Sequence, residues 1–444
     1  MRHDSSESIA LHDFMKSMQN FFSKIKLIWT DPNLRNKVLF VLASLVVFRL
    51  LSNIPIPGVD KNALTNFLDS SQLAGFFNLF SGGGLTNLSI VMLGVGPYIT
   101  SSIIMQLLTI MVPSLKKLYS EEGEAGRKKF TQYSRMLTVP LAALQAFSLL
   151  TILAKQNILV NLTAFDQIVN IIIVIAGSML LTWLGELVTE FGIGNGVSLI
   201  IFAGIVSRLP VWISQHVFSI VDASQIPAYI GFLVVGILVI AGVVLATEAE
   251  RPVPVTYSKQ VRGTKMTSGG STYIPLRINQ AGVIPIIFSI SILLFPQMIG
   301  TFIMARFSEH VVLAKVATVL LKFTQTSVLY AVLYFVLVFV FTYFYTAVTF
   351  DPHALSENLQ KNGAFIPGIR PGASTAEYIS KVLSRITILG ASFLGFVAVL
   401  PLIMQHIFSD ITSVAIGGTT VLIVVSVVLD LIKKVDAQIS MREY

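Results

Sequence analysis

Cysteine is absent from this chain, so no disulfide, thiolate metal site or cysteine nucleophile can form. Charge is scarce: Asp, Glu, Lys and Arg make up 12% of the 444 residues, against about 25% in soluble domains. No G-x-x-x-x-G-K-[ST] run occurs, which leaves no P-loop nucleotide site. H-E-x-x-H and G-x-S-x-G are also missing, and the six His are scattered. No enzyme activity, cofactor or metal is therefore expected. Residues 1–29 lack a positive start followed by an apolar core and a small-residue cleavage site, so no cleavable signal peptide is expected.

What is present is apolar. Hydrophobic residues make up 54% of the chain and the mean hydropathy is +0.77. One water-soluble core cannot hide that much apolar surface, so lipid is expected as solvent. A spanning helix needs roughly 20 mostly apolar residues. Ten stretches qualify: 36–54, 88–112, 136–154, 166–187, 197–215, 227–247, 280–300, 326–348, 379–402 and 414–432. Before them, Phe14, Met18, Phe21, Phe22, Ile25, Ile28 and Trp29 recur at helical spacing with Lys16, Lys24 and Lys26 between. That pattern predicts an amphipathic helix on the membrane surface over 11–29.

Lys and Arg orient the chain. The N-terminal segment, the second, sixth and eighth loops and the C-terminal segment hold 24 of them. The loops on the other side hold six: Lys61, Lys155, Arg208, Arg306, Lys315 and Lys322. Arg49 lies within the first span. The positive-inside rule places both termini in the cytoplasm and supports an even number of spans. Ten spans split as five and five, and an odd number per half would make an internal repeat inverted.

The stretch Gly75–Val112 is unusual. The short apolar piece Phe76–Phe80 breaks at Gly82-Gly83-Gly84, and the long run after it is interrupted by Gly94, Gly96 and Pro97. Non-helical backbone cannot face lipid, because its N–H and C=O groups would go unpaired. The break is therefore expected to be covered by protein or to line a water-filled cavity. Two loops also stand out. In 247–277, Val253, Val255 and Tyr257 alternate, Ser268-Gly269-Gly270 follows, then Tyr273, Ile274 and Leu276, which predicts a hairpin. In 349–378 a Gly/Pro run, Gly363 to Gly372, presents Arg370 at an ordered tip.

These parts resemble the SecY family, the channel subunits of protein translocons. The resemblance runs from about Leu34 to Ser440. It is carried by PIPG at Pro55–Gly58, by the run Phe80–Leu108 with SGGG and PYITSSIIMQLL, and by EGEAGRKKFTQYSR at Glu122–Arg135. It continues through WLGE at Trp183–Glu186, GIGNGVSLIIFAGIV at Gly192–Val206, INQAGVIPIIF at Ile278–Phe288 and GAFIPGIRPG at Gly363–Gly372. Two places depart from the family pattern. The basic tract of the sixth loop is thinned to Lys259-Gln260-Val261-Arg262-Gly263-Thr264-Lys265, and Asp351-Pro352-His353 stands where Asn-Pro-Arg is common.

The resemblance implies an all-α polytopic membrane protein with ten transmembrane helices in two pseudo-symmetric inverted halves of five. The expected division is an N-terminal segment 1–33, a first half 34–226 and a second half 227–444. It implies an hourglass pore whose ring is Val95, Ile99, Val197, Ile201, Ile287 and Ile423. A plug over 75–87 would use Phe76, Phe77, Leu79, Phe80, Gly82, Gly83 and Gly84. A lateral gate would include Thr100, Ser102, Gln106 and Asn279, and a docking surface for SecA or the ribosome would include Lys259, Arg262, Lys265 and Arg370. Implied partners are SecE and SecG in a heterotrimer, the ATPase SecA, the ribosome, signal sequences, nascent polypeptides and membrane lipids, at a bacterial plasma membrane. The residues alone leave plainer readings open: aliphatic side chains facing lipid, hydroxyls bonding their own helix, a basic loop that only sets topology. The other functional class is an ion-coupled secondary transporter with broken helices. It would need ionisable groups near the midplane, whereas Arg49, Glu186, Glu190 and Asp430 sit mostly near predicted span ends.

Overall fold

The computed structural model describes residues 29–58, 64, 81, 83–85, 87–120, 122–155, 158–159, 163–207, 210, 214, 226–257, 260–262, 265–267, 270–306, 310–321, 328–407 and 418–440. The predicted surface helix 11–29 lies outside them except for Trp29. So do Phe76, Phe77, Leu79, Phe80 and Gly82 of the plug segment and Lys259 of the sixth loop.

Helix α1 spans Pro32–Leu51, with Asp31 accepting the Asn33 N–H at 2.9 Å as its N-cap and Pro32 opening the first turn. Helices α2 (Gly96–Met111) and α3 (Pro113–Ser120) follow, bent by 113° at the break between them. Helix α4 spans Gly123–Lys155. Helix α5 (Ala164–Phe191) starts on a capping box in which Thr163 and Asp166 satisfy each other's backbone N–H. Helix α6 (Gly196–Val206) starts on Asn195, whose side-chain Oδ1 accepts the Ser198 N–H.

Helix α7 spans Ile226–Glu248. Strands β1 (Glu250–Tyr257), β2 (Gln260–Arg262), β3 (Lys265–Thr267) and β4 (Ser271–Arg277) come next. Then come α8 (Ile284–Arg306), α9 (Val311–Leu321), α10 (Val328–Thr349), α11 (Pro352–Lys361), β5 (Ala364–Phe365), α12 (Ala373–Ile407) and α13 (Gly418–Ser440).

The protein is thus mostly helical, and each of the ten predicted stretches carries a helix. Among the described residues four helices are long and apolar enough to cross a membrane: α4, α5, α10 and α12. The bent pair α2–α3 makes a fifth if counted as one span. The stretch 88–112 corrects the expectation of a span beginning at residue 88, because helix starts only at Gly96. Leu88 and Gly94 have φ of +40° and +57°, left-handed values that a right-handed helix cannot contain. Helices α3, α9 and α11 lie outside the ten stretches.

The chain divides into two compact units, Met1–Pro210 with Val427–Tyr444, and Val211–Ser426. In the first, α4 packs against α2, α3 and α5, and α5 against α6. Its core joins Ile56, Leu64, Leu85, Leu88, Met92 and Leu93 to Leu149, Leu150 and Leu153 of α4 and Val174 of α5. The last turns of α13 close this unit, with Leu431, Val435 and Ile439 against Leu34, Val38 and Ile193. In the second unit α10 packs on α12 and α8, and a small sheet of order β4-β1-β5 sits on the start of α12.

The α5–α6 contact is set by small residues. A Cβ on Gly196 would fall 2.0 Å from the Gly185 carbonyl oxygen. The Thr189 hydroxyl accepts the Gly196 N–H at 2.9 Å and donates to that same Gly185 carbonyl at 2.8 Å. Gly196→Ala is expected to force the two helices apart at a cost of about 3 kcal/mol. Thermal unfolding of the detergent-solubilised chain checks this, and an unchanged midpoint would count against so close a packing.

Candidate functional site

The break before α2 is a run of turns, and much of its polar backbone is paired within protein. The Gly84 N–H donates to the Ser81 carbonyl at 3.2 Å, and the Ser89 N–H to the Gly84 carbonyl at 2.8 Å. The Ile56 N–H donates to Leu88 and the Ile90 N–H to Ile54, at 2.8 and 2.9 Å, so the PIPG segment pairs with 88–90 like a short strand. Further on, Met92 donates to Ser89, Gly94 to Val91 and Gly96 to Leu93. Leu85, Leu88, Ser89, Val91, Met92, Leu93 and Val95 are all buried. Over the described residues Leu85 and Leu88–Val95, protein covers the break, the first of the two expected alternatives. Gly83 has φ +92°, and a Cβ on Gly84 would come within 2.8 Å of the Ser89 Oγ. The glycine run therefore answers both to backbone sign and to close approach.

Four of the six predicted ring residues form two pairs, one at the head of α2 and one on α6. Val95 is buried at the head of α2. Ile99, one turn on, is half-buried and donates its N–H to the Val95 carbonyl at 3.1 Å. On α6, Ile201 is buried and Val197 is half-buried. In the second unit Ile287 is buried in the first turn of α8, and Ile423 is buried near the start of α13.

The polar residues of α2 divide. Thr100 donates to the Gly96 carbonyl at 3.0 Å, so its hydroxyl serves its own helix. Ser101 donates across to the Ser134 carbonyl of α4. Ser102 and Gln106 are half-buried. Asn279, between β4 and α8, is 6% exposed, and its Oδ1 has no hydrogen-bond partner. Sequence reasoning missed an ion pair: Arg135 of α4 reaches Glu186 of α5, and the second carboxylate oxygen of Glu186 is buried without a partner. The readable signal was an acid inside an apolar run, which calls for a cation on a neighbouring helix.

The two long loops meet. Strands β1 and β4 form the predicted antiparallel hairpin, from Glu250 opposite Arg277 to Thr256 opposite Ser271. Strand β5, inside GAFIPGIRPG, adds to its other edge with Thr256 opposite Phe365. Val253, Val255, Leu276, Ala364 and Ile366 are buried against Ile379, Leu383 and Ile386 of α12. Arg370 is exposed. Its carbonyl accepts the Thr375 hydroxyl at 2.9 Å, and Gly368 and Gly372 flank it at φ +81° and +99°. Arg262 and Lys265 stand opposite each other in the β2–β3 pair. Asp351 is the N-cap of α11, its Oδ1 accepting the His353 and Ala354 N–H groups at 2.8 and 3.2 Å. Asn caps equally well, so this departure from the family pattern keeps the local structure.

A model of the SecY family matches residues 89–432. The protein translocase subunit SecY of Thermotoga maritima is 40% identical over 425 residues, covering 93% of this chain and 94% of that protein. The SecY subunit of Thermus thermophilus is 42% identical over 435 residues, covering 95% and 97%. A solved SecY channel, described by its plug domain stabilising the closed state and maintaining a membrane seal, superposes with TM-score 0.65. It is 18% identical and covers 91% of this chain and 92% of that one, a likeness of fold.

Asp351→Ala should remove the α11 cap at a cost of about 1 kcal/mol, while Asp351→Asn should retain it. Amide exchange over 352–361 checks this: faster exchange is expected in the Ala variant only, and equal protection in both would refute the cap.

Proposed function

The chain belongs to the SecY family, and from that premise we propose that it forms a passive protein-conducting channel. It moves unfolded secretory polypeptides across the plasma membrane and releases apolar helices sideways into lipid. SecY proteins are translocation channels rather than enzymes, and the chain is a multi-pass membrane protein. The observation that carries the reading is the buried break at Gly84–Val95, an irregular backbone covered by protein at the head of an apolar helix. Such a break suits a path through the membrane, since spanning alone needs only unbroken helix.

In this reading ten spans form two inverted halves, 34–226 and 227–444, with both termini in a bacterial cytoplasm. Val95, Ile99, Val197, Ile201, Ile287 and Ile423 form the constriction. A narrow aliphatic ring wets poorly and so opposes ions, yet its side chains yield to a passing polypeptide without binding it. The segment 75–87 closes the ring. Thr100, Ser102, Gln106 and Asn279 belong to the seam that opens to lipid. Polar contacts between membrane helices contribute about 0.6–2 kcal/mol each, a size an apolar signal helix can displace. An ion-coupled transporter is not favoured: the one buried carboxylate oxygen described above belongs to an Arg135-paired Glu186, and the full-length relatives are translocase subunits.

With no P-loop in the chain, the driving energy comes from a partner: SecA, a translating ribosome or the membrane potential. SecE and SecG complete the channel. The sheet β4-β1-β5 supports a docking role, because it fixes an exposed Arg370 on a backbone held by three positive-φ glycines, Gly363, Gly368 and Gly372. Charge on such a projection attracts acidic protein and RNA phosphate alike.

Arg370→Glu is expected to block SecA-driven export while leaving the chain inserted and its partners bound. Export of a secretory precursor into membrane vesicles, with co-purified SecE as the check on assembly, reads both. Normal export by this variant would overturn the docking assignment.

A further inference from the structure

Two adjacent small residues on α5 grip the broken segment from the side. A Cβ on Gly177 would lie 2.0 Å from the Ile90 carbonyl oxygen, so the helix touches the backbone of the turns there. Ser178, next along and fully buried, donates its hydroxyl to the Gly94 carbonyl at 2.8 Å. Gly94 sits at φ +57°, one residue before Val95. Val95 has φ −92° and ψ 6°, and no side chain caps the helix that it starts. The direction of the first turn of α2 is therefore set by the turn ladder below it. Among the described residues Ser178 is the side chain from another helix that hydrogen-bonds that ladder between Leu88 and Val95.

We propose that Ser178 and Gly177 are positioning residues for the constriction: they fix the height and rotation of Val95, and through it Ile99, and so set how tightly the channel excludes ions. The proposal rests on the reading of Val95 and Ile99 as ring residues. The Ser178 hydroxyl is well suited to the task. Its acceptor is a backbone carbonyl within a left-handed turn, so the bond resists both sliding and rotation of that turn. It sits among buried apolar side chains, where a lost hydrogen bond is not replaced by water. Gly177 provides the approach that lets the bond form, and its lack of a side chain brings α5 against the backbone at Ile90.

The test measures ion leak through the full chain, purified with its subunits and reconstituted in liposomes without a translocating polypeptide. Ser178→Ala is expected to raise the leak about threefold to tenfold, the factor by which losing one buried hydrogen bond shifts an equilibrium. Ser178→Cys, a weaker donor of similar size, should fall between, and it carries the test if the Ala variant does not fold. Gly177→Ala, which displaces Ile90, should leak as well. Ser44→Ala removes a buried hydroxyl that bonds only its own helix, at the Phe40 carbonyl, and should not leak. Val95→Ala and Ile201→Ala test the underlying reading. If they leak while folded Ser178→Ala and Ser178→Cys stay as tight as the parent, the positioning role is wrong and the ring stands. If Val95→Ala and Ile201→Ala leave the leak unchanged, the ring reading fails and the positioning role with it.

Discussion

Everything in the first unit turns on keeping peptide groups paired where water is scarce. From Gly84 to Gly96 the chain cannot use the helical ladder, yet no group there can be left to hydrocarbon. The pairing comes from three sources. Turns close on themselves among the described residues between Ser81 and Gly96, Ile54 and Ile56 at the PIPG segment lend a two-bond bridge, and Ser178 reaches in from α5. Each source dictates what surrounds it. The bridge holds α1 and its following loop beside the break, and the turns bring Leu85, Leu88, Met92 and Leu93 inward as the core against α4 and α5.

Close packing then follows from small residues rather than from apolar attraction, because lipid tails are as apolar as leucine. Gly177 against Ile90 and Gly196 against Gly185 bring backbones into contact. Hydroxyls complete the contacts: Thr189 bonds both sides of the α5–α6 junction, and Ser101 stitches α2 to α4. The Arg135–Glu186 pair adds a charge contact between α4 and α5. These are short-range and directional, so they specify one arrangement where apolar surfaces alone would permit sliding.

The second unit solves a different problem, how to hold a loop rigid outside the apolar layer. The hairpin β1–β4 would be marginal alone, as two-stranded hairpins are. It gains a third strand from the Gly363–Gly372 motif and an apolar floor from Ile379, Leu383 and Ile386. The Asp351 cap and the Ser356 hydroxyl, donating to the Gly372 carbonyl at 2.6 Å, tie α11 into the same body. Arg370 is thereby presented from a fixed base rather than from a free loop.

Much of this was legible in the sequence, and the reason is locality. Apolar runs, Lys and Arg bias, glycine clusters and alternation in 253–257 each report on a few neighbouring residues. They sufficed for a helix in each of the ten apolar stretches, the break and the hairpin, and the family motifs supplied the candidate site residues. The start of α2 was misjudged because hydropathy does not distinguish buried turns from buried helix: both are apolar, and only φ at Leu88 and Gly94 separates them. Other features required the fold. Ser178 lies 84 residues from its acceptor, Arg135 lies 51 from Glu186, and β5 joins β1 across more than a hundred residues. Nothing in a serine or an Ala-Phe pair announces such a partner, and an acid in an apolar run calls for a cation without saying which one. The sequence by itself determined which segments are apolar and where backbone must break. The tertiary structure alone decided which distant groups satisfy that broken backbone, because hydrogen bonds are chosen by position in space and not along the chain.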